Sequence, residues 1–466
     1  MTTELKLISL NVRGIRDKIK RKRILEWCKN KGGDIIFLQE TYSTPDIETR
    51  WRSEVDGSFY FSHGTNHSKG VLVLITSKLN IKISDLKIDG DGRYIVFKGE
   101  IQGAKMIFGN LYFPTRDKEK MQIEFLSIVD KVISEMLAPE YTIVLGGDFN
   151  VIMNKKLDYM GLNMPVKTKF NDKFEEFFIK YDLEDIWRKR NPSEKQFTFK
   201  RKQPFVQTRL DYWLISASME KLVHSCDILP SITPDHSGIK LKFRNLVENF
   251  EYGKSYWKFN NSLCEDKYFV DKMIDKIKEL KEQLIPQLED KMLLWDFMKM
   301  KMREYIIRYS KERAKLRRLE IEKLEKEIGI LDNQLILTPS NNVFDEIEDK
   351  KAALAKLYDY SRQGIRVRSR AEWVEEGEIN TQYFEQLLKS NKKRTVVREL
   401  CNDENEIISD RNKILRIIKI FYERLYSVQE RNIDEQSTFF LNIPRLKEES
   451  KNMCEGKLTK MNVTKY

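Results

Sequence analysis

The chain has 466 residues, with 84 Lys and Arg against 72 Asp and Glu, giving a formal net charge of +12. That length suits two or three domains, and 41% hydrophobic residues exclude a chain too polar to build a core. The basic balance points to an acidic partner, nucleic acid above all. The five cysteines are far apart with no CxxC pair, which excludes a zinc ribbon and a disulfide framework. No run of about 18 apolar residues occurs, so the expectation is a reduced, intracellular, soluble protein with no membrane partner.

In chain order, LKLISL (5–10), DIIFLQ (34–39), GVLVLIT (70–76), YIVFKGEI (94–101), AKMIFGNLYF (104–113), YTIVLGGDF (141–149), RLDYWLI (209–215) and IKLKFRNL (239–246) read as strands. Between them, 19–32, 119–136 and 167–183 carry apolar residues at helical spacing. Mixed strands and helices predict sheets covered by helices, an α/β sandwich. The alternation ends in FRNLVENFEYGKSYWKF (243–259). Beyond it, 295–335 is long and charged, with Leu324, Ile328, Leu331 and Leu335 at three- and four-residue steps, an amphipathic helix or coiled coil. Further helices are expected at 343–361 and 412–427. The domain expectation is therefore 1–245 for the sandwich and 246–466 for a mainly helical, partly coiled-coil region.

The residues able to carry chemistry share one location, the loop after a predicted strand, where open α/β sheets place their sites. Asn11 follows LKLISL, Glu40 follows DIIFLQ, and Tyr112 ends IFGNLYF. Asp148 and Asn150 lie in GGDFN, Asp211 in TRLDY, and Asp235 with His236, one of four histidines, in PDHS. A turn would explain PDHS alone; it does not explain the ordered set. Glu40 and Asp235 are hard oxygen ligands suited to Mg²⁺ or Mn²⁺, and Asn11 and Asn150 can hold a ligand or a phosphate oxygen without added charge. With a histidine that moves a proton or holds a phosphate oxygen, the set fits metal-assisted phosphodiester hydrolysis. The hairpin FKRKQPFVQT (199–208) presents Lys200, Arg201, Lys202 and Phe205, a composition suited to a DNA groove. Arg13, Arg116, Lys155 and Lys156 lie beside the motifs, where they could meet phosphates.

Taken in order, SLNVRGI, DIIFLQET, NLYFPT, GGDFN, FTF…TRLDYWL and PDHSGI resemble the endonuclease/exonuclease/phosphatase superfamily, in particular the endonuclease domain of LINE-type (non-LTR) retrotransposon polyproteins. The resemblance covers about residues 4–245 and implies a four-layer α/β sandwich of the exonuclease III/DNase I type. It implies a metal site at Glu40, with Asn11 beside it and Asp235 close by. It makes Tyr112 a phosphate contact, Asp148 the group that orients or deprotonates water, Asn150 its phosphate-binding neighbour, Asp211 the carboxylate that fixes the histidine, and His236 the group at the scissile phosphate. Thr198 matches a threonine that contacts the DNA backbone, and Thr208 stands where related endonucleases often have serine. Residues 371–427 resemble the linker that leads to a reverse transcriptase in such polyproteins. No Tyr-x-Asp-Asp motif occurs, so the expectation is a polyprotein cut short before that domain, without polymerase activity.

The resemblance implies a Mg²⁺-dependent enzyme that nicks double-stranded DNA in the nucleus, with a cytoplasmic pool allowed for, Mn²⁺ as a substitute and retroelement RNA as a partner of the C-terminal region. An apurinic-site repair endonuclease and a catalytically silent DNA-binding module are the alternatives.

Overall fold

The computed structural model describes residues 4–55, 57–162, 166–244, 246, 259–286, 290–368, 400–401, 407–408 and 411–427. Most of the boundary stretch 243–259, the EGEINTQYF stretch and the basic KSNKKR stretch lie outside the described residues. Residues 1–389 form one compact unit and 390–466 a second.

The first unit is built on two six-stranded sheets. One holds β1 (Glu4–Asn11), β2 (Ile35–Gln39), β3 (Gly57–Ser62), β4 (Val71–Thr76), β14 (Val223–Ile228) and β15 (Ile239–Arg244), in the order β14-β15-β1-β2-β4-β3. The other holds β5 (Lys82–Ile88), β6 (Tyr94–Ile101), β7 (Ala104–Tyr112), β8 (Thr142–Asp148), β10 (Leu183–Asp185) and β13 (Asp211–Ser216), in the order β10-β13-β8-β7-β6-β5. A small third sheet joins β9 (Tyr159–Gly161), β11 (Phe199–Arg201) and β12 (Val206–Thr208). At the centre of each large sheet one pair runs parallel, β1 with β2 and β7 with β8.

Period-two patterning sets the layers. Leu5 and Leu7 of β1 face the second sheet, packing with Phe37, Phe97, Phe108, Val144 and Trp213, while Ile8 and Leu10 face outward. Both faces are covered, and for that reason these central strands read as unbroken apolar runs rather than alternations. The outer face of the second sheet is covered by α3 (Glu119–Met136) and α4 (Lys169–Lys180) through a cluster that includes Phe113, Phe125, Phe149, Phe170 and Phe174. The outer face of the first sheet is covered by α1 (Lys18–Asn30) and α2 (Pro45–Glu54). The result is helix, sheet, sheet, helix, the four-layer sandwich that the resemblance implies. The short α5 (Ile186–Arg190) contacts β13 and β14.

The helical region continues with α6 (Lys267–Leu284), α7 (Lys291–Leu337) and α8 (Asn341–Arg368). Helices α7 and α8 form a hairpin, and its far half is part of the sandwich's outer layer. Ile328, Leu331, Leu335, Ile347, Leu354 and Tyr358 are buried in one cluster with Ile24, Trp27 and Cys28 of α1. Ion pairs Arg23–Asp359 (2.7 Å) and Lys31–Glu325 (2.6 Å) flank that seam. In the second unit, β16 (Leu400–Cys401) pairs with β17 (Ile407–Ile408), and α9 (Arg411–Leu425) follows. None of the described helices is long and apolar enough to cross a membrane.

Candidate active site

Strand register brings the motifs to one edge. In the first sheet Asn11 is the partner of Gln39, so Glu40 emerges beside it. In the second, Asp148 pairs with Tyr112 on one side and with Asp211 on the other. The loop carrying His236 enters β15, whose first residue, Ile239, pairs with Ser9, and His236 itself bridges Phe199.

Asn11 Nδ2 donates to Glu40 Oε1 (2.8 Å) and to Asp148 Oδ2 (2.9 Å), joining the two sheets through one amide. Tyr112 Oη donates to Glu40 Oε1 (3.1 Å) and Tyr42 Oη to Glu40 Oε2 (3.0 Å). His236 Nδ1 lies 3.1 Å from Asp211 Oδ2, and its Nε2 lies 4.0 Å from Asp148 Oδ2. Asp148, Asp211 and His236 are all buried, with ligand atoms within 4.8 Å of one another. Asn150 donates its backbone N–H to Asp148 Oδ1 (3.0 Å) and its side-chain amide to the Phe113 carbonyl (3.0 Å). Arg13, Glu40, Tyr42 and Asn150 all adopt positive φ, between 44° and 55°. Such backbone costs roughly 1–3 kcal/mol per residue and persists where the surroundings over-determine it, commonly at sites. Here the Gly14 N–H to Glu40 carbonyl bond (2.7 Å) and the Tyr42 N–H to Lys69 carbonyl bond (2.9 Å) hold two of them.

The electrostatics follow from burial and crowding. Burial, and then the neighbouring Asp211 carboxylate, push the Asp148 carboxyl up to about 7. For His236 burial opposes the charge, but Asp211 overrides it and raises the imidazole to about 10. Burial and the Glu40 carboxylate push the Tyr112 phenol up as well, so it stays a donor at neutral pH. The imidazolium with Nδ1 fixed by Asp211 presents Nε2–H beside Asp148, a proton donor next to an acceptor.

The donor set fits a hard divalent cation. It offers carboxylate and amide oxygens and no thiolate. The carboxylates of Glu40 and Asp148 share the Nδ2 of Asn11, a neutral donor between two acids. One oxygen each of Asp211 and Asp235 is buried without a hydrogen-bond partner, a costly arrangement unless charge is supplied.

The remaining expected site residues are distributed differently. Asp235 is ion-paired with Arg13 (2.7 Å), so the expected metal-site aspartate and the expected phosphate-contacting arginine occupy each other. Thr198 is fully buried, its hydroxyl accepting from the N–H of Leu210 (2.9 Å) and of Asp211 (3.1 Å), so it lies beneath the site as a support for Asp211. Thr208 is buried, and its carbonyl accepts from Thr198 N–H (3.0 Å). Arg116 donates to the Val166 carbonyl. In the basic hairpin Lys200 is buried against Asp332 and Lys202 is paired with Asp345, while Arg201 is exposed.

Several supports carried no expectation. Tyr42 binds Glu40 directly. Gln39 Nε2 donates to Ser9 Oγ (2.9 Å) and Asn110 Oδ1 (2.7 Å), and Asn110 Nδ2 to the carbonyls of Leu38 and Leu72, a polar rivet between the sheets below the site. The signal for Asn110 was in plain view, a lone amide inside an apolar strand in IFGNLYF. Behind Asp211, Arg209 is buried between Asp158 (2.8 Å) and Asp185 (2.6 Å).

A four-layer sandwich carries acids, amides and a carboxylate-held histidine at its strand ends, a set chemically suited to hydrolysis of a phosphate ester. Residues 8–233, just under half of the chain, match the model of the Endonuclease/Exonuclease/phosphatase family. The match stops two residues before Asp235; the structure joins Asp235 and His236 to it. Across 463 residues, 98% of its length, the chain is 26% identical to the "Transposon TX1 uncharacterized 149 kDa protein" of Xenopus laevis, and it spans 34% of that relative. Among solved structures it is similar to the AP endonuclease LMAP from Leishmania major, with 18% identity, TM-score 0.42, and 52% of this chain and 88% of that one covered. It is also similar to the Xenopus laevis APE2 catalytic domain, with 20% identity, TM-score 0.41, and 53% and 94% covered.

Proposed function

We propose that this chain is a divalent-metal-dependent endonuclease that nicks double-stranded DNA by phosphodiester hydrolysis, leaving a 3′-hydroxyl. We further propose that it corresponds to the endonuclease portion of a retroelement polyprotein, acting on nuclear DNA, with retroelement RNA as a partner of its C-terminal region. The observation that carries the reading is the buried line Asp211–His236–Asp148 opening beside Glu40.

Asp148, raised to about 7, accepts a proton from an attacking water near neutral pH. Asn150 N–H fixes one oxygen of Asp148, and the other, held by Asn11 Nδ2, faces His236. His236 holds a phosphate oxygen through Nε2–H and offsets charge that develops there. Asp211 keeps the ring oriented and charged. Glu40 would hold Mg²⁺ or Mn²⁺ with Asn11 beside it, Asp235 being ion-paired with Arg13, and a bound cation would supply neutralisation of the developing phosphate charge. The hydroxyl of Tyr112 orients Glu40.

The test is nicking of supercoiled plasmid by the full chain with Mg²⁺ or Mn²⁺, beside His236→Ala and Asp148→Asn. Each substitution is expected to slow nicking by on the order of 10²-fold or more. A folded chain that binds DNA yet nicks no faster than both variants overturns the catalytic reading in favour of a binding module. Abasic and intact duplexes compared in the same assay separate repair chemistry from nicking of undamaged DNA.

A further inference from the structure

The far half of the α7–α8 hairpin touches more than the apolar face of α1. It reaches both loops that frame the candidate active site, at four separate points. Asp332 of α7 takes the buried ammonium of Lys200 on β11. The Leu335 carbonyl accepts from Gln207 Nε2 on β12 (3.4 Å). Asp345 of α8 takes Lys202. Lys351 of α8, 9% exposed, directs its ammonium at the Thr233 carbonyl (3.3 Å) and the Pro234 carbonyl (3.4 Å), with Glu348 (2.9 Å) as its counter-charge.

The last contact leads to the histidine through one residue. Thr233 Oγ1 donates to the His236 carbonyl (2.5 Å) and accepts from the His236 N–H (3.2 Å), and Ser231 Oγ donates to the same carbonyl (2.6 Å). The turn 231–236 is therefore closed by its own hydroxyls and anchored from outside by Lys351. A buried ammonium is expensive unless its donors are used, and here two of its acceptors are carbonyls of the histidine loop.

We infer that Lys351 is a positioning residue for His236, and that the α7–α8 hairpin is a working part of the nuclease site rather than a tether between domains. This rests on the reading of His236 as a catalytic residue. Displacing a catalytic group by even 1 Å can cost on the order of 10²-fold in rate, and loss of one outer support typically costs about 10–100-fold. A Lys351→Met chain, which keeps length and volume but loses the donors, is expected to nick about tenfold more slowly, with the KM for duplex DNA little changed.

The experiment uses the full chain labelled on its histidine rings. Four histidines make the spectrum simple, and the His236 signal is assigned by its loss in His236→Asn. The readouts are kcat, KM and the His236 ring resonance. The variants are Lys351→Met, Lys351→Arg, Thr233→Val, the Lys351→Met/Thr233→Val double, and Lys350→Met. Lys350 is the control, an α8 lysine paired with Glu327 of α7 (2.7 Å). Lys351→Met and Thr233→Val are expected each to lower kcat and move the His236 resonance. The double variant is expected to lose less than the product of the two single losses, because both substitutions loosen the same turn. Lys351→Arg should recover most of the rate, and Lys350→Met should match wild type.

A wild-type kcat and an unmoved resonance in Lys351→Met overturn the proposal, as does an equal loss in Lys350→Met. Should Lys351→Met not fold, Lys351→Gln, which removes the charge and shortens the reach but keeps a polar end, decides by the same two readouts. A wild-type chain that nicks nothing refutes the nuclease reading alone; the resonance still decides whether Lys351 positions the ring.

Discussion

Leu335 and Leu337 sit two residues apart near the end of α7, and the structure gives them opposite fates. Leu335 is 0% exposed and lies in the cluster that includes Trp27 and Cys28 of α1, whereas Leu337 is 83% exposed. Truncating a fully buried leucine to alanine removes its transfer energy and leaves a cavity, costing about 2–5 kcal/mol. The same truncation at an exposed position stays within about 0.5 kcal/mol. In a unit of this size each kcal/mol moves the melting temperature by roughly 2 °C, so Leu335→Ala should melt roughly 4–10 °C lower and Leu337→Ala should match wild type. Tryptophan fluorescence of the full chain is the assay, because Trp27, Trp51, Trp187 and Trp213, four of its seven tryptophans, are buried within the sandwich and report its own unfolding. The cost lands on the sandwich only if the helical hairpin and the sandwich unfold together. Equal melting temperatures for the two variants, with a single cooperative transition in each, would refute the integration of α7 into the fold.

Replacing Asp211 by Asn removes the largest of the charges that override burial at His236, so the ring pKa, about 10 in the native chain, should fall toward the ordinary value of 6.5; a histidine-ring titration by NMR measures it. Because the folded-state pKa is raised, this group's stabilisation is complete below about pH 6.5 and is lost as pH rises toward about 10. Urea midpoints measured across that window should show a smaller decline in Asp211→Asn, and an unchanged decline would exclude the pair as its source. Mg²⁺ should raise the melting temperature of the wild-type chain and do so much less in Glu40→Gln; equal shifts in both would remove Glu40 from the metal site. Arg201→Ala should weaken DNA binding and flatten the dependence of log K on log salt by about one contact's worth, while an unchanged slope would take Arg201 off the phosphate backbone.

The sandwich was legible because its central strands are buried on both faces and so announce themselves as apolar runs. Strands β3, β5 and β14 were missed for the converse reason. They are edge or near-edge strands in the two sheets, and DLKI or HSCD alternates polar residues that composition alone assigns to loops. The site was legible in its residue types, since a carboxylate or amide at the end of an apolar strand has few other reasons to be there. Its partnerships were not. No local pattern tells Asp235 to choose Arg13, 222 residues away, or Thr198 to turn inward under Asp211. The heptad-like spacing of Leu324, Ile328, Leu331 and Leu335 reads as a coiled coil and fits a helical hairpin equally well. Which surface that stripe meets depends on the outer face of α1, which periodicity cannot supply.

The same separation explains how the site is built and where it is vulnerable. Each half arises within a sheet, from a parallel pair whose two C-terminal ends must lie side by side: Asn11 beside Glu40, Tyr112 beside Asp148. Parallel pairing fixes that adjacency through backbone alone. Joining the halves is left to side chains, with Asn11 reaching Asp148, Tyr112 reaching Glu40, and the Gln39–Asn110 contact riveting the sheets below. All three links cross the inter-sheet gap through neutral donors, so the acids retain charge for a cation. The histidine belongs to neither pair. It arrives on a turn whose own hydroxyls close it and whose outward carbonyls are met by a helix more than a hundred residues further on. Geometry set by strand register should tolerate change in the helical region, and geometry set by that turn should not. Substitutions in α7 and α8 at the residues that touch the histidine loop should therefore impair the phosphate-holding role proposed for His236 before they impair the metal binding proposed at Glu40.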